Sequence, residues 1–206
     1  AGNSKSIGAG MIPHESMETT HLSVVDKWGN AVSATTTLNN GYGSKTVIEG
    51  AGFIMNDEMD DFSVKPGVPN MFGAIGGEAN AIAPGKRMLS SMTPAIVLKN
   101  HRPYLVTGTP GGTTIPTSVF QTILNIIEFN LSTEDAVNLP KFHHQWLPDV
   151  IIVEQGFPAV TIEALHGMGY HTNKAGSIGR TELIRISNGT VEAVGDKRGD
   201  DDAEAY

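Results

Sequence analysis

Two β-prone runs, His21 to Asp26 and Ala31 to Leu38, flank Lys27-Trp28-Gly29-Asn30, a segment with the length and composition of a hairpin turn. The register of that hairpin is open. A two-residue loop at Trp28-Gly29 pairs position 20 with 37 and, because side chains alternate across a strand, sends Thr19 and Thr37 to opposite faces; a single bulge at the turn brings them together. A second hairpin is predicted from Ala95-Ile96-Val97-Leu98 through Asn100-His101-Arg102-Pro103 to Tyr104-Leu105-Val106-Thr107. A third joins Glu182-Leu183-Ile184-Arg185-Ile186 to Val191-Glu192-Ala193-Val194 across Asn188-Gly189, a pair that favours positive φ. Between these two the period becomes helical. Val119, Phe120, Ile123, Leu124, Ile126 and Ile127 recur at i, i+3, i+4 spacing and predict a helix over 116–129 with a broad apolar face suited to packing on a sheet. Shorter helices are predicted over 133–138, where Ser132 and Asp135 are spaced as a capping box, and over 161–167. Ala1 to Glu18, rich in Gly and Ser and without a usable apolar period, reads as a loop. Hairpins followed by sheet-covering helices predict a layered α+β domain, one structural unit from Thr19 to about Asp196.

A length of 206 residues with 39% hydrophobic content suffices for one sizeable core, or half of a larger shared one. No apolar run approaches the roughly 18–20 residues that cross a bilayer, so no membrane span is predicted. The net charge of −8 argues against a nucleic-acid or anionic-membrane partner, because either needs a basic surface. With no cysteine, the chain has no disulfide framework, thiolate metal site or cysteine nucleophile.

Candidate chemistry is confined to a few short motifs. Thr19-Thr20-His21 opens the first predicted strand. A threonine hydroxyl is a poor nucleophile unless a base sits beside it, and the nearest base it can recruit is its own α-amine, with an ordinary pKa of about 7.7–8.0. Residues 1–18 precede Thr19, so the Glu18–Thr19 bond has to break before that amine exists. Tyr104 to Thr107, Gly108-Thr109-Pro110-Gly111-Gly112-Thr113-Thr114 and the long helix together make a strand, glycine-rich loop and helix, which aims backbone N–H groups at an anion. No lysine follows the glycines, against a phosphate-binding P-loop; an oxyanion hole needs the same donors and no lysine. By composition Asp60-Asp61 reads as a solvated turn, Ser90-Ser91 as a polar bend and Asp200-Asp201-Asp202 as a solvated tail. His143-His144 predicts no metal, because adjacent side chains point apart and no third ligand is suitably spaced.

Taken together, Thr19-Thr20-His21, Thr35-Thr36-Thr37-Leu38-Asn39, Asn56-Asp57-Glu58-Met59-Asp60-Asp61-Phe62, Pro66-Gly67-Val68-Pro69-Asn70, Ser90-Ser91-Met92-Thr93-Pro94, Gly108-Thr109-Pro110-Gly111-Gly112 and Phe142-His143-His144-Gln145-Trp146-Leu147-Pro148 resemble the small subunit of γ-glutamyltranspeptidases. The resemblance implies the four-layer αββα sandwich of N-terminal nucleophile hydrolases. It divides the chain into a large-subunit tail, 1–18, and a small subunit, 19–206, with self-cleavage at Glu18–Thr19. It implies Thr19 as nucleophile, Thr37 as its orienting partner, and Gly111 and Gly112 as oxyanion donors. Asp61, assisted by Asn39 and Glu58, is expected to hold the α-ammonium of a γ-glutamyl substrate, and many relatives carry Gln at the Glu58 position. Ser90 and Ser91 are expected on the α-carboxylate, together with an arginine from the large subunit, and 66–77 matches a lid loop. Glutathione is the expected substrate, water or an amino acid or peptide the acceptor, and no cofactor is expected. The implied location is periplasmic or secreted, with the export signal upstream. Other acyl specificities, a β-lactam side chain or a polyglutamate, and an unprocessed, inactive precursor remain open; retention of Asn39, Asp61, Ser90 and Ser91 favours the γ-glutamyl site.

Overall fold

A computed structural model of the chain describes residues 19–205. The loop expected over Ala1 to Glu18 and the Glu18–Thr19 bond lie outside the described residues.

β1 (Thr19–Val25) and β2 (Ala31–Thr37) form the first hairpin. The ladder pairs Thr19 with Thr37 and Val25 with Ala31, so the bulged register is the one adopted. The turn supplies the reason. Gly29 N–H donates to the Asp26 carbonyl at 3.0 Å, and Gly29 then takes φ 86°, the left-handed position of a bulged three-residue loop. The Asp26 carboxylate locks this shape by accepting from the N–H groups of Trp28 at 2.9 Å and Asn30 at 2.8 Å, and from Asn30 Nδ2 at 2.7 Å.

The chain continues through β3 (Ala95–Lys99), β4 (Arg102–Gly108), α1 (Ile115–Ile127), α2 (Thr133–Asn138), β5 (Phe142–His143) and β6 (Ile151–Glu154). It ends in α3 (Ala159–Gly167), β7 (Thr172–Ala175), β8 (Glu182–Ser187) and β9 (Thr190–Val194). The antiparallel sheet β3-β4-β8-β9 contains both remaining predicted hairpins. Their two-residue turns have positive φ at both positions, Asn100 and His101 in one and Asn188 and Gly189 in the other, which matches the right-handed twist of the strands. A second small sheet, β5-β6-β7, was not predicted; α3 makes the crossover between its parallel strands β6 and β7. Ser132 caps α2 as its spacing predicts, its Oγ accepting from Asp135 N–H at 3.0 Å.

α1 and α2 cover one face of the larger sheet around a core of Leu105, Ile126, Ala136, Val137 and Leu183. The predicted apolar face of α1 is only partly right. Phe120 and Ile127 are exposed, whereas Ser118 and Thr122 are fully buried. Burial of these hydroxyls is tolerated because each donates to a carbonyl one turn back, Ser118 to Thr114 at 2.9 Å and Thr122 to Ser118 at 3.0 Å. The β1–β2 hairpin lies on the opposite face of the sheet. Ser33 Oγ donates to the Thr107 carbonyl at 2.9 Å, and the His21 ring sits so close to Gly108 that a Cβ there would be 2.1 Å from it. Helix, sheet and hairpin are therefore three of the expected layers. No described element covers the outer face of the hairpin, where Leu22, Val24 and Val32 are about half exposed. Among the described residues no helix is long and apolar enough to cross a membrane.

The acidic C-terminal stretch departs from the solvated tail expected of it. Asp200 is exposed, but the Asp201 side chain is only 9% exposed and receives Arg180 Nη2 at 2.6 Å. Just before it, the Arg198 guanidinium bridges buried Glu154 at 2.7 Å and buried Asp196 at 2.9 Å, and Lys141 Nζ lies 3.5 Å from Asp196. Burial lowers the Lys141 pKa to about 8, against the opposing pull of Asp196.

Candidate active site

Thr19 opens β1 and Thr37 closes β2, so the bulged register places them opposite one another on one face. Thr19 Oγ1 donates to Thr37 Oγ1 at 3.0 Å, and Thr37 Oγ1 accepts from the Asn39 N–H at 2.8 Å. Asn39 is buried at φ 75°; its Nδ2 donates to the Asp57 carbonyl at 3.4 Å and to the Met71 sulfur at 3.6 Å. Further along the same face, His21 is clamped between Thr35 Oγ1 at 2.8 Å and Ser23 Oγ at 3.0 Å. Burial lowers its pKa to about 4, so it is a neutral packing element at physiological pH.

Glu58–Asp61 is a single 3-10 turn held against the end of β2. Asp57 N–H donates to the Leu38 carbonyl at 3.1 Å, and Asp57 Oδ1 accepts from Asn40 N–H at 3.0 Å. The turn crowds its carboxylates. Burial, then Asp61 and Asp57, raises the pKa of Glu58; burial, then Asp60 and Asp57, raises that of Asp61. Glu58 is buried, and its Oε1 has no hydrogen-bond partner among the described residues.

β4 delivers the glycine loop. Gly111 at φ 144° and Gly112 at φ 56° adopt backbone conformations that L side chains rarely reach, and a Cβ on Gly111 would lie 2.6 Å from Thr114 Oγ1. The Gly111 carbonyl accepts from Thr114 N–H at 3.1 Å and Thr114 Oγ1 at 2.8 Å. Ser91 Oγ donates to the Gly112 carbonyl at 2.9 Å, whereas Ser90 Oγ turns back to accept from Met92 N–H at 3.2 Å.

Asp61 and Ser91 meet in one cavity of about 260 Å³, walled by Thr113 and by the 68–76 segment. Thr37 and Glu58 line an adjoining open groove of about 390 Å³ with Met59, Met88 and Met92. Gly111 lines a third cavity, about 380 Å³, with Thr113, Phe72 and His143. Ser90 lines none of the three. Over the first cavity, the 66–77 segment is shaped by Asn70, whose Oδ1 accepts from the N–H groups of Phe72 and Ala74, both at 3.0 Å. Met71 N–H ties that segment to Asp60 Oδ2 at 3.1 Å. His143 and His144 take separate partners: His143 bonds Thr117 and Gln145 at 2.8 and 2.9 Å, and His144 bonds Asp149 at 3.1 Å. Sequence reasoning gave Asp57 and Thr113 no role. The acidic run around Asp57 was the available signal; Thr113 had none beyond its place in the glycine loop.

The Gamma-glutamyltranspeptidase family model matches residues 3–206. The glutathione hydrolase proenzyme of Escherichia coli K12 is 47% identical over 196 residues, covering 95% of this chain and 34% of that protein. That of Pseudomonas aeruginosa is 50% identical over 194 residues, covering 92% of this chain and 34% of its own length. The solved structure of gamma-glutamyltranspeptidase from Pseudomonas nitroreducens in complex with L-DON matches with a TM-score of 0.85 and 48% identity, over 91% of this chain and 99% of that one. The chain thus spans about a third of the length of the curated relatives it matches. Similarity of this extent, carried by a chain whose first strand sets Thr19 against Thr37 and whose fourth strand leads into a glycine loop at positive φ, places the protein in the gamma-glutamyltranspeptidase family.

Proposed function

We propose that residues 19–206 are the small-subunit part of an enzyme that moves the γ-glutamyl group of glutathione and related amides to water or to an amino acid or peptide, through an ester on Thr19. In maturation, Thr19 Oγ attacks the Glu18 carbonyl and the acyl group shifts from nitrogen to oxygen, which frees the Thr19 amine; water then cleaves the ester, releasing Glu18 as a carboxylate and restoring the Thr19 hydroxyl. In turnover that amine, directly or through water, takes the hydroxyl proton as Oγ attacks the γ-amide carbonyl; the proton passes to the departing amine. Water or an acceptor amine then releases the glutamyl group and restores the threonine. Thr37 orients the nucleophile, and the N–H groups of Gly111 and Gly112 receive the oxyanion, a donor being worth about 2.7–4 kcal/mol of barrier. Asp61, with Asn39 and Glu58, binds the substrate ammonium; Ser90 and Ser91 bind its carboxylate, with an arginine from the large subunit completing that clamp. The 66–77 segment acts as the lid. Residues 1–18 belong to the large subunit, the partner in a heterodimer exported to the periplasm or medium, and the word proenzyme in the relatives' names accords with a cleaved precursor.

The observation that carries this reading is the 3.0 Å bond from Thr19 Oγ1 to Thr37 Oγ1, which supports Thr19 as the nucleophile and Thr37 as its orienting partner. The test is Thr19→Ala in the full-length protein. The precursor stays uncut and γ-glutamyl anilide turnover is lost, while N-terminal sequencing of the parent finds Thr19. A new terminus elsewhere, or cleavage that survives the substitution, removes Thr19 from the mechanism.

A further inference from the structure

The N–H groups of Gly111 and Gly112 each belong to a peptide unit whose carbonyl is bound by a threonine hydroxyl. A trans peptide is planar, and its C=O and N–H point in opposite directions, so anchoring the carbonyl aims the N–H. The Gly111 N–H shares its peptide unit with the Pro110 carbonyl. That carbonyl accepts from Thr109 Oγ1 at 2.7 Å. The Gly112 N–H shares its unit with the Gly111 carbonyl, which accepts from Thr114 Oγ1 at 2.8 Å. Thr109 is fully buried, and its Oγ1 also accepts from Arg180 N–H at 2.7 Å. Gly179, at φ 68°, packs so closely on this hydroxyl that a Cβ there would lie 2.8 Å from it. The Arg180 guanidinium is in turn gripped by Asp201 at 2.6 and 2.9 Å.

We propose that Thr109 and Thr114 are positioning residues for the oxyanion, one hydroxyl setting the direction of each glycine N–H, with Arg180 as the brace behind Thr109. Neither hydroxyl acts on substrate; both act through the backbone. The inference rests on the reading of Gly111 and Gly112 as oxyanion donors. Glycines at φ 144° and 56° leave the loop conformationally permissive, so other residues have to supply the orientation. A preorganised donor stabilises charge only where it already points at the position the oxyanion will occupy.

The experiment uses the full-length protein, matured, with active sites counted by the amount of free N-terminal Thr19. Thr109→Val and Thr114→Val remove a hydroxyl at similar volume; Thr109→Ser and Thr114→Ser keep it. Each valine variant should lower kcat on a γ-glutamyl anilide by about ten- to a hundredfold with KM within about threefold, the pattern of an interaction made only in the transition state. Affinity for a γ-boronate analogue of the glutamyl group, which forms a tetrahedral adduct, should fall in parallel, while affinity for glutamate stays unchanged. The serine variants should recover kcat to within about threefold of the parent. Valine variants that mature and keep kcat within about threefold overturn the proposal, as does a loss of glutamate affinity equal to the loss of boronate affinity. If Thr109→Val does not fold, the half-buried Thr114 carries the same comparison. A crystal structure of the parent boronate adduct separates the two levels: a boronate oxygen away from both glycine N–H groups defeats the oxyanion reading itself.

Discussion

At the scale of single residues, the crowded carboxylates of the 57–61 turn set the expected pH behaviour. Asp61 has to be ionised to hold an ammonium, and burial with neighbouring acids raises its pKa above the ordinary carboxylate value. The sign follows: kcat/KM is full above that raised pKa and falls as pH drops through it. The acid side should therefore carry, besides the step of the Thr19 amine that has to be neutral to act as base, a step from Asp61 above the range of a free aspartate. Asp57→Asn should move it to lower pH, because the charge on Asp57 contributes to the shifts of both Asp61 and Glu58. A pH profile of kcat/KM for the two proteins decides this, and an Asp61 step unmoved by the substitution sinks it. Asp61→Asn should still mature but lose about ten- to more than a hundredfold in kcat/KM, the worth of a charge-assisted hydrogen bond of about 1.5–3 kcal/mol. A change below about threefold removes Asp61 from the ammonium site.

At the scale of elements, the β1–β2 turn decides whether there is a site at all. Gly29→Val puts a side chain at φ 86° and disfavours the bulged three-residue loop; the two-residue loop that replaces it pairs 27 with 30, shifts the register by one, and sends Thr37 to the face opposite Thr19. The expected outcome is a folded precursor that neither matures nor turns over, read by gel mobility and γ-glutamyl anilide assay. Gly108→Ala should be as damaging by another route, since its Cβ would lie 2.1 Å from the buried His21 ring. This hairpin also shows what the sequence carried. The strands and their approximate ends were legible from β-prone runs and turn residues, as were the Asn100-His101 and Asn188-Gly189 hairpins. The register was not, because the same Lys27-Trp28-Gly29-Asn30 segment can close either a two-residue or a three-residue loop. The sheet β5-β6-β7 escaped because strands of two to four residues are too short to show a period. Among site residues, those in motifs were identified by family resemblance, whereas the burial of Glu58 and the Arg180 N–H bond behind Thr109 depend on tertiary contacts between distant segments.

At the scale of the whole molecule, the apolar outer face of the hairpin and the large-subunit arginine proposed for the carboxylate clamp lead to one expectation. Residues 1–206 expressed alone should show no transpeptidase activity, even if folded and cut, and separately made large subunit should restore it where the halves dock; robust glutathione turnover by the isolated piece would contradict this. The ion network behind the site should carry much of the stability. Arg198→Met leaves Glu154 and Asp196 buried without their guanidinium and should cost about 3–5 kcal/mol, measured by denaturant unfolding of the mature enzyme. That same region has a further consequence for timing. A ribosome makes Thr19 before Asp201, yet the grip of Asp201 on Arg180 lies behind the loop proposed to meet the oxyanion. While residue 201 is still inside the exit tunnel the bracing contact cannot form, whatever the state of the strands already outside. On the proposal above, oxyanion chemistry that relies on the braced loop is deferred until synthesis has passed this point.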